Sequence, residues 1–208
     1  MKKIAVTALS GLLIFGTMTV QQQSPAFAAP NPIVVENQQP GSTAWQLGPN
    51  VADDAHGQIQ GYASATSVNQ GESLTLYVTV NPAQQYTIDI YRIGSYSGSG
   101  GRLRSHVPGL SGTPQPTCPT DATTGIIVCN WSPGYTFTVP SDWTSGIYLA
   151  QLTNAAGWQS YVIFAVKDGR PAAFVYQQPV NTYQAYNNYP DNGTSFHDPN
   201  GTGKSLYG

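Results

Sequence analysis

The chain has 208 residues, a formal net charge of −2 and only 9% Asp, Glu, Lys and Arg. That length suits one ordinary domain with a short attachment. The absence of a basic patch argues against nucleic acid as a partner.

The opening MKKIAVTALSGLLIFGTMTV sets Lys2 and Lys3 before an apolar run too short for a membrane anchor, and Ala26-Phe27-Ala28 fits the small-x-small cleavage rule. Residues 1–28 read as a signal peptide cut between Ala28 and Ala29, so the expected destination is secreted, extracellular or cell-wall associated. No later segment has the apolar length of a membrane span. Cys118 and Cys129 are the two cysteines, separated by the turn-rich PTDATTGIIV. In an exported chain this pattern predicts a disulfide worth ~3 kcal/mol rather than a metal site, which needs more ligands at close spacing.

Residues 29–57 are rich in Pro, Gln, Asn and Gly and read as an arm or linker. From Ile59 the texture changes. SLTLYVTV (73–80) alternates Leu74, Leu76, Val78 and Val80 against Ser73, Thr75, Tyr77 and Thr79. QYTIDIYRI (85–93) repeats that period of two, the mark of half-buried strands, and Asn81-Pro82 between them predicts a hairpin-like connection. Further strands are expected at 125–130, 135–139, 146–153 and 158–166, and no segment beyond the leader has helical periodicity. Short strands with turn signals between them predict an all-β, immunoglobulin-like antiparallel β-sandwich over residues 58–168.

After the break Asp168-Gly169-Arg170-Pro171, AAFVY (172–176) reads as a new buried strand, the start of an α/β-type domain over 169–208. Beyond it Val180 and Leu206 cannot build a core. The expectation is a chain that ends inside something larger, with a missing C-terminal region of the same protein as its partner. The closing DPNGTGKSLYG imitates a phosphate-binding loop in Gly203-Lys204-Ser205. Asp198 replaces the opening glycine, however, and three residues are too few for the helix that should follow.

Two stretches resemble a known family. YRIGSYSGSGGRL (91–103) resembles a Tyr-Arg-x-Gly-x-Tyr-x-Gly-x-Gly-x-Arg signature in the sandwich of exported proteins related to the large (beta) subunit of N,N-dimethylformamidase. The block Thr182-Tyr183-Gln184-Ala185-Tyr186-Asn187-Asn188, followed by Gly203-Lys204-Ser205-Leu206-Tyr207, is similar to the entry of that family's C-terminal catalytic-type domain. The resemblance implies a metal-dependent amide hydrolase whose iron is held by two tyrosines and a glutamate. Tyr186 is the implied first ligand and Asn187 its neighbour. The family's glutamate and second tyrosine lie downstream of Gly208, whereas Glu36 and Glu72, the two glutamates here, precede the motif. The chain as given is thus expected to hold no complete catalytic site and no cofactor, with iron confined to a longer protein and the sandwich acting as a structural or docking module.

Plainer readings compete at each position. Tyr183, Tyr186 and Tyr189 suit packing. Arg92 and Arg102 are expected to brace the glycine loop through backbone carbonyls, and His56, His106 and His197 to sit exposed. The oxygen-rich loop 187–200 lacks EF-hand spacing, so turns are the simpler reading than calcium. The alternative function is a non-catalytic binding module for glycan or protein, with Trp45, Trp131, Trp143 and Trp158 as platforms or, as in many sandwiches, core residues.

Overall fold

A computed structural model describes residues 30–119, 121–123 and 127–186. The leader and the segment carrying Asn187, Asn188, His197 and the 203–207 motif lie outside them. Among the described residues eight strands form two sheets: β1 (Ile59–Ala63), β2 (Ser67–Asn69), β3 (Ser73–Val80), β4 (Gln84–Ile93), β5 (Gly101–Gly112), β6 (Pro133–Thr138), β7 (Gly146–Asn154) and β8 (Gln159–Lys167). The small sheet runs β1-β3-β6 and the large one β2-β8-β7-β4-β5. All these pairings are antiparallel except β2 with β8. This is the order of an immunoglobulin-like sandwich with an added edge strand, β5, on its larger sheet.

The period of two explains the core. Leu74, Leu76, Val78 and Val80 on β3 face Ile88 and Ile90 on β4, Tyr148, Ala150 and Leu152 on β7, and Val162, Phe164 and Val166 on β8. Trp143, Tyr148 and Phe164 stack at one end, with ring centroids 4.7 Å and 5.7 Å apart. The Tyr148 hydroxyl donates to the carbonyl of Thr144 at 2.9 Å, the tyrosine corner of such sandwiches, while buried Ala150 stands two residues on, where antibody domains carry cysteine.

A second apolar cluster covers the outer face of the small sheet. Tyr62 stacks on Tyr77, Trp131 lies against Tyr62, and the Cys118–Cys129 disulfide pins the overlying loop. Trp131 anchors that loop by donating Nε1–H to the carbonyl of Pro116 at 2.9 Å.

Four expectations need correction. β3 and β4 do not form a hairpin: both turn their apolar residues inward, so residues 81–83 carry the chain across to the opposite sheet. Residues 127–130 hold no strand, only an isolated bridge at Ile127, because the disulfide loop covers the sheet instead of joining it. AAFVY (172–176) forms no strand either; among the described residues no neighbouring strand pairs with it, and Phe174 and Val175 are 91% and 95% exposed. Among the described residues two short α-helices occur, α1 (Pro32–Asn37) and α2 (Val180–Tyr186), each too short to show a periodicity.

Strand β5 escaped sequence reading because glycine, proline and charge interrupt it. Two bulges absorb them. Tyr86 pairs Leu110 and Ile88 pairs Val107, which leaves Pro108 and Gly109 opposite Thr87. Ile90 pairs Ser105 while Tyr91 pairs Leu103, which leaves Arg104 as the extra residue.

Candidate functional site

The glycine-rich signature is the turn from β4 into β5. Its backbone reaches positive φ at Tyr96, Ser97, Gly98 and Gly100 and closes with Gly94 N–H donating to Gly100 O at 3.0 Å. Two glycines are required by what lies against them. A Cβ at Gly94 would stand 2.5 Å from Asn37 Oδ1, and one at Gly100, where φ is +83°, would stand 2.9 Å from the Trp45 indole nitrogen.

Those neighbours belong to the N-terminal arm. Asn31 caps α1 by accepting from Ile33 N–H at 2.9 Å, and Pro32 occupies the first turn. Asn37 Oδ1 accepts from Ser95 N–H at 2.6 Å, Ser42 N–H donates to Gly101 O at 2.7 Å, and Trp45 Nε1–H donates to Ser99 O at 3.0 Å. Further along, the Tyr161 hydroxyl donates to Trp45 O, and Gly48 N–H donates to Gln159 Oε1 at 2.7 Å. The signature loop is the socket into which the arm fits.

Glu36 is the buried centre of that fit, 6% exposed. Its Oε1 accepts the Tyr96 hydroxyl at 2.9 Å, and its Oε2 accepts Arg102 Nη1 at 2.8 Å and Arg104 Nη1 at 3.0 Å. Burial works against the ionised carboxylate, but the Tyr96 hydrogen bond and the two guanidiniums outweigh it and hold the pKa below the ordinary value. Burial also pushes the Tyr96 phenol up, so it stays a donor. Arg104, re-aimed by the bulge, bonds Asp142 Oδ2 through Nη2 at 2.7 Å.

The cluster continues along the same end of the sandwich to the start of β7 and the end of β8. Arg92 donates Nη1–H to the Tyr96 oxygen at 3.0 Å and Nη2–H to the carbonyl of Ser145 at 2.9 Å. Ser145 N–H donates to Asp168 Oδ2 at 2.8 Å, and Asp168 N–H returns a bond to Ser145 Oγ at 3.0 Å. Arg170 pairs with the same carboxylate, and although burial opposes ionisation, these donors keep Asp168 far below the usual carboxylate range. One polar chain, Glu36–Tyr96–Arg92–Ser145–Asp168–Arg170, therefore joins the arm to the segment that leaves the sandwich.

Sequence reasoning placed Arg92 and Arg102 as braces of the glycine loop through its carbonyls. The structure corrects this: Arg92 bonds Tyr96 and the Ser145 carbonyl, and Arg102 bonds the arm's carboxylate. It overlooked Glu36 and Arg104 as members of one cluster. The usable signal was Asn31-Pro32, a cap followed by a helix-starting proline, which puts PIVVEN in one short helix.

The one implied iron ligand, Tyr186, and the two glutamates of the chain stand apart from one another in role. Tyr186 is the last residue of α2 and is exposed, as is Tyr183. Glu72 accepts from Asn69 N–H and Nδ2–H in a tight turn. Glu36 meets Tyr96, but three arginines surround the pair and repel a cation. Among the described residues no group of three or more His, Cys, Asp or Glu could hold a metal ion. Glu36 and Glu72, committed to these partners, do not fit an iron centre, and Asn187 and the rest of the motif lie outside the described residues.

His56 and His106 are exposed and pair with Asp53 and Asp89 respectively. Trp131 and Trp143 are buried, Trp143 within the main core, while Trp45 and Trp158 are half-buried against the socket and the core. No helix among the described residues is long and apolar enough to cross a membrane.

Residues 87–208 match the family described as N,N-dimethylformamidase beta subunit-like, C-terminal. The match opens within β4 and runs through the signature loop, the remaining strands, α2 and the 203–207 motif. No curated protein matches the chain. Solved structures similar to it include an uncharacterized protein from Bacillus anthracis str. Ames (11% identity, TM-score 0.31, covering 50% of this chain and 78% of that one). A superoxide reductase (neelaredoxin) from Ignicoccus hospitalis is similar at 11% identity and TM-score 0.28, over 53% of this chain and 80% of that one. A beta-glucosidase from Listeria innocua, in complex with glucose, has 12% identity and TM-score 0.26 over 52% of this chain and 16% of that one. TM-scores this low speak to neither fold nor activity. With more than half of its length inside one family match, signature loop and tail motif included, the chain belongs to the N,N-dimethylformamidase beta subunit-like family.

Proposed function

We propose that this chain supplies the sandwich of an exported, amide-hydrolase-related protein, where it acts as a structural or docking module, and that the chain alone does not catalyse amide hydrolysis. The observation that carries this reading is the use made of the family signature. Its arginines and its buried tyrosine hold the arm and the exit segment. The exposed Phe174, Val175 and Tyr176 support the docking role, since adjacent large apolar side chains in water mark an interaction surface. Two cysteines joined in a disulfide and a leader-like N-terminus support export.

The test is an assay of the purified chain against small N-alkylated amides, with and without added ferric or ferrous iron, beside elemental analysis for bound metal. The expected result is neither turnover nor stoichiometric iron. Metal-dependent amide hydrolysis by this chain would refute the reading. N-terminal sequencing of the secreted product should begin at Ala29.

A further inference from the structure

Between α1 and the start of β5 lies an open cleft of about 410 Å³. One wall carries Arg102 and Arg104, and the facing wall carries Pro30, Pro32 and Val35. Arg104 is committed, with one terminal nitrogen on Glu36 and the other on Asp142, and its side chain is buried. Arg102 is not. Among the described residues it spends only Nη1, on Glu36, and its side chain stays 29% exposed. The charges lining the cleft, Arg102 and Arg104 against Glu36 and Asp142, balance, so what it offers an anion is the unused N–H edge of Arg102 rather than a surplus of charge.

We infer that this cleft binds short aliphatic monocarboxylates, with the carboxylate on the uncommitted edge of Arg102 and the hydrocarbon chain against Pro30, Pro32 and Val35. A guanidinium edge offers two parallel N–H donors that match a planar carboxylate. A dianion such as sulfate would bring a second negative charge toward buried Glu36 and rim Asp142. The proline and valine wall gives the chain an apolar surface to cover, so affinity rises with chain length.

The test is an NMR titration of the intact chain with acetate, butyrate and sulfate at constant ionic strength, following amides of α1 and of residues 101–104. Butyrate is expected to give saturable shifts there, binding threefold or more tightly than acetate, with sulfate weaker than both. Arg102→Gln should weaken butyrate at least tenfold. Because that change also touches the Glu36 cluster, Val35→Glu provides the independent check: the Val35 side chain is exposed and makes no bond to the cluster, and its replacement should weaken butyrate at least tenfold while leaving the fold intact. Shifts that do not saturate, sulfate binding as tightly as butyrate, or a Val35→Glu protein that binds butyrate unchanged would each overturn the assignment.

Discussion

The Tyr96 hydroxyl donates to the Glu36 carboxylate at 2.9 Å across 60 positions of sequence, and both groups are buried. Tyr96 sits in the left-handed region at φ 40°, a conformation that costs a non-glycine residue of order 1–3 kcal/mol unless its surroundings hold it. Here the surroundings are the arm. The family signature and the segment that precedes the family match fold as one unit.

Glu36→Gln keeps the shape and removes the charge that Arg102 and Arg104 face. Hydrogen bonds to charged groups contribute about 1.5–3 kcal/mol each, so the variant should lose about 2 kcal/mol. Urea unfolding should show this as a lower midpoint with an unchanged slope.

Acid should reproduce that loss. Glu36 has a folded pKa below its ordinary value of 4.5, so its contribution is fully present above that value and disappears as pH falls through the folded pKa. Asp168 behaves in the same sense. The stability gap between wild type and Glu36→Gln should therefore be constant from about pH 7 to 5.5 and shrink as pH falls below 4.5. Urea midpoints across that range are the measurement; a gap that persists undiminished well below the folded pKa would show that Glu36 acts through shape alone.

Replacing Cys118 and Cys129 with serine frees the loop over Tyr62, Tyr77 and Trp131. Loop-closure entropy for so short a ring predicts a loss of ~3 kcal/mol. Trp131 emission should shift to the red in the variant while Trp143, packed in the main core, keeps its own environment.

Phe174→Asp and Val175→Asp address the opposite case. Side chains this exposed in the isolated chain should change its stability by no more than about 0.5 kcal/mol. Thermal unfolding decides the point. A loss of about 2 kcal/mol or more would place them in a core.

The parts of the fold legible in the sequence were those governed by alternation. β3, β4, β7 and β8 bury every second residue, and their hydrophobic period is strong enough to read without context. The partner of each strand was not legible, because β3 and β4 alternate identically whether they pair side by side or face each other across the core. β5 was hidden because Pro108 and Gly109 are accommodated in a bulge, which no local pattern announces. The socket was half legible. Arg92, Arg102 and the glycines stood out as a motif, but their partner Glu36 lies in a low-contrast stretch of Pro, Gln and Asn, and nothing local to it shows that it is buried. Tyr186 came from resemblance alone, and it stands exposed at the end of α2.

The glycine-rich signature seats the N-terminal arm. Hydrogen–deuterium exchange on wild type and Gly100→Ala tests it most directly, since a methyl there meets the Trp45 ring at a φ of +83°. Residues 33–46 should exchange slowly in the wild type, and the variant should lose protection jointly over 33–46 and 94–101 with β7 and β8 unchanged. Fast exchange of the arm in the wild type, or protection of 33–46 that survives the substitution, would contradict it.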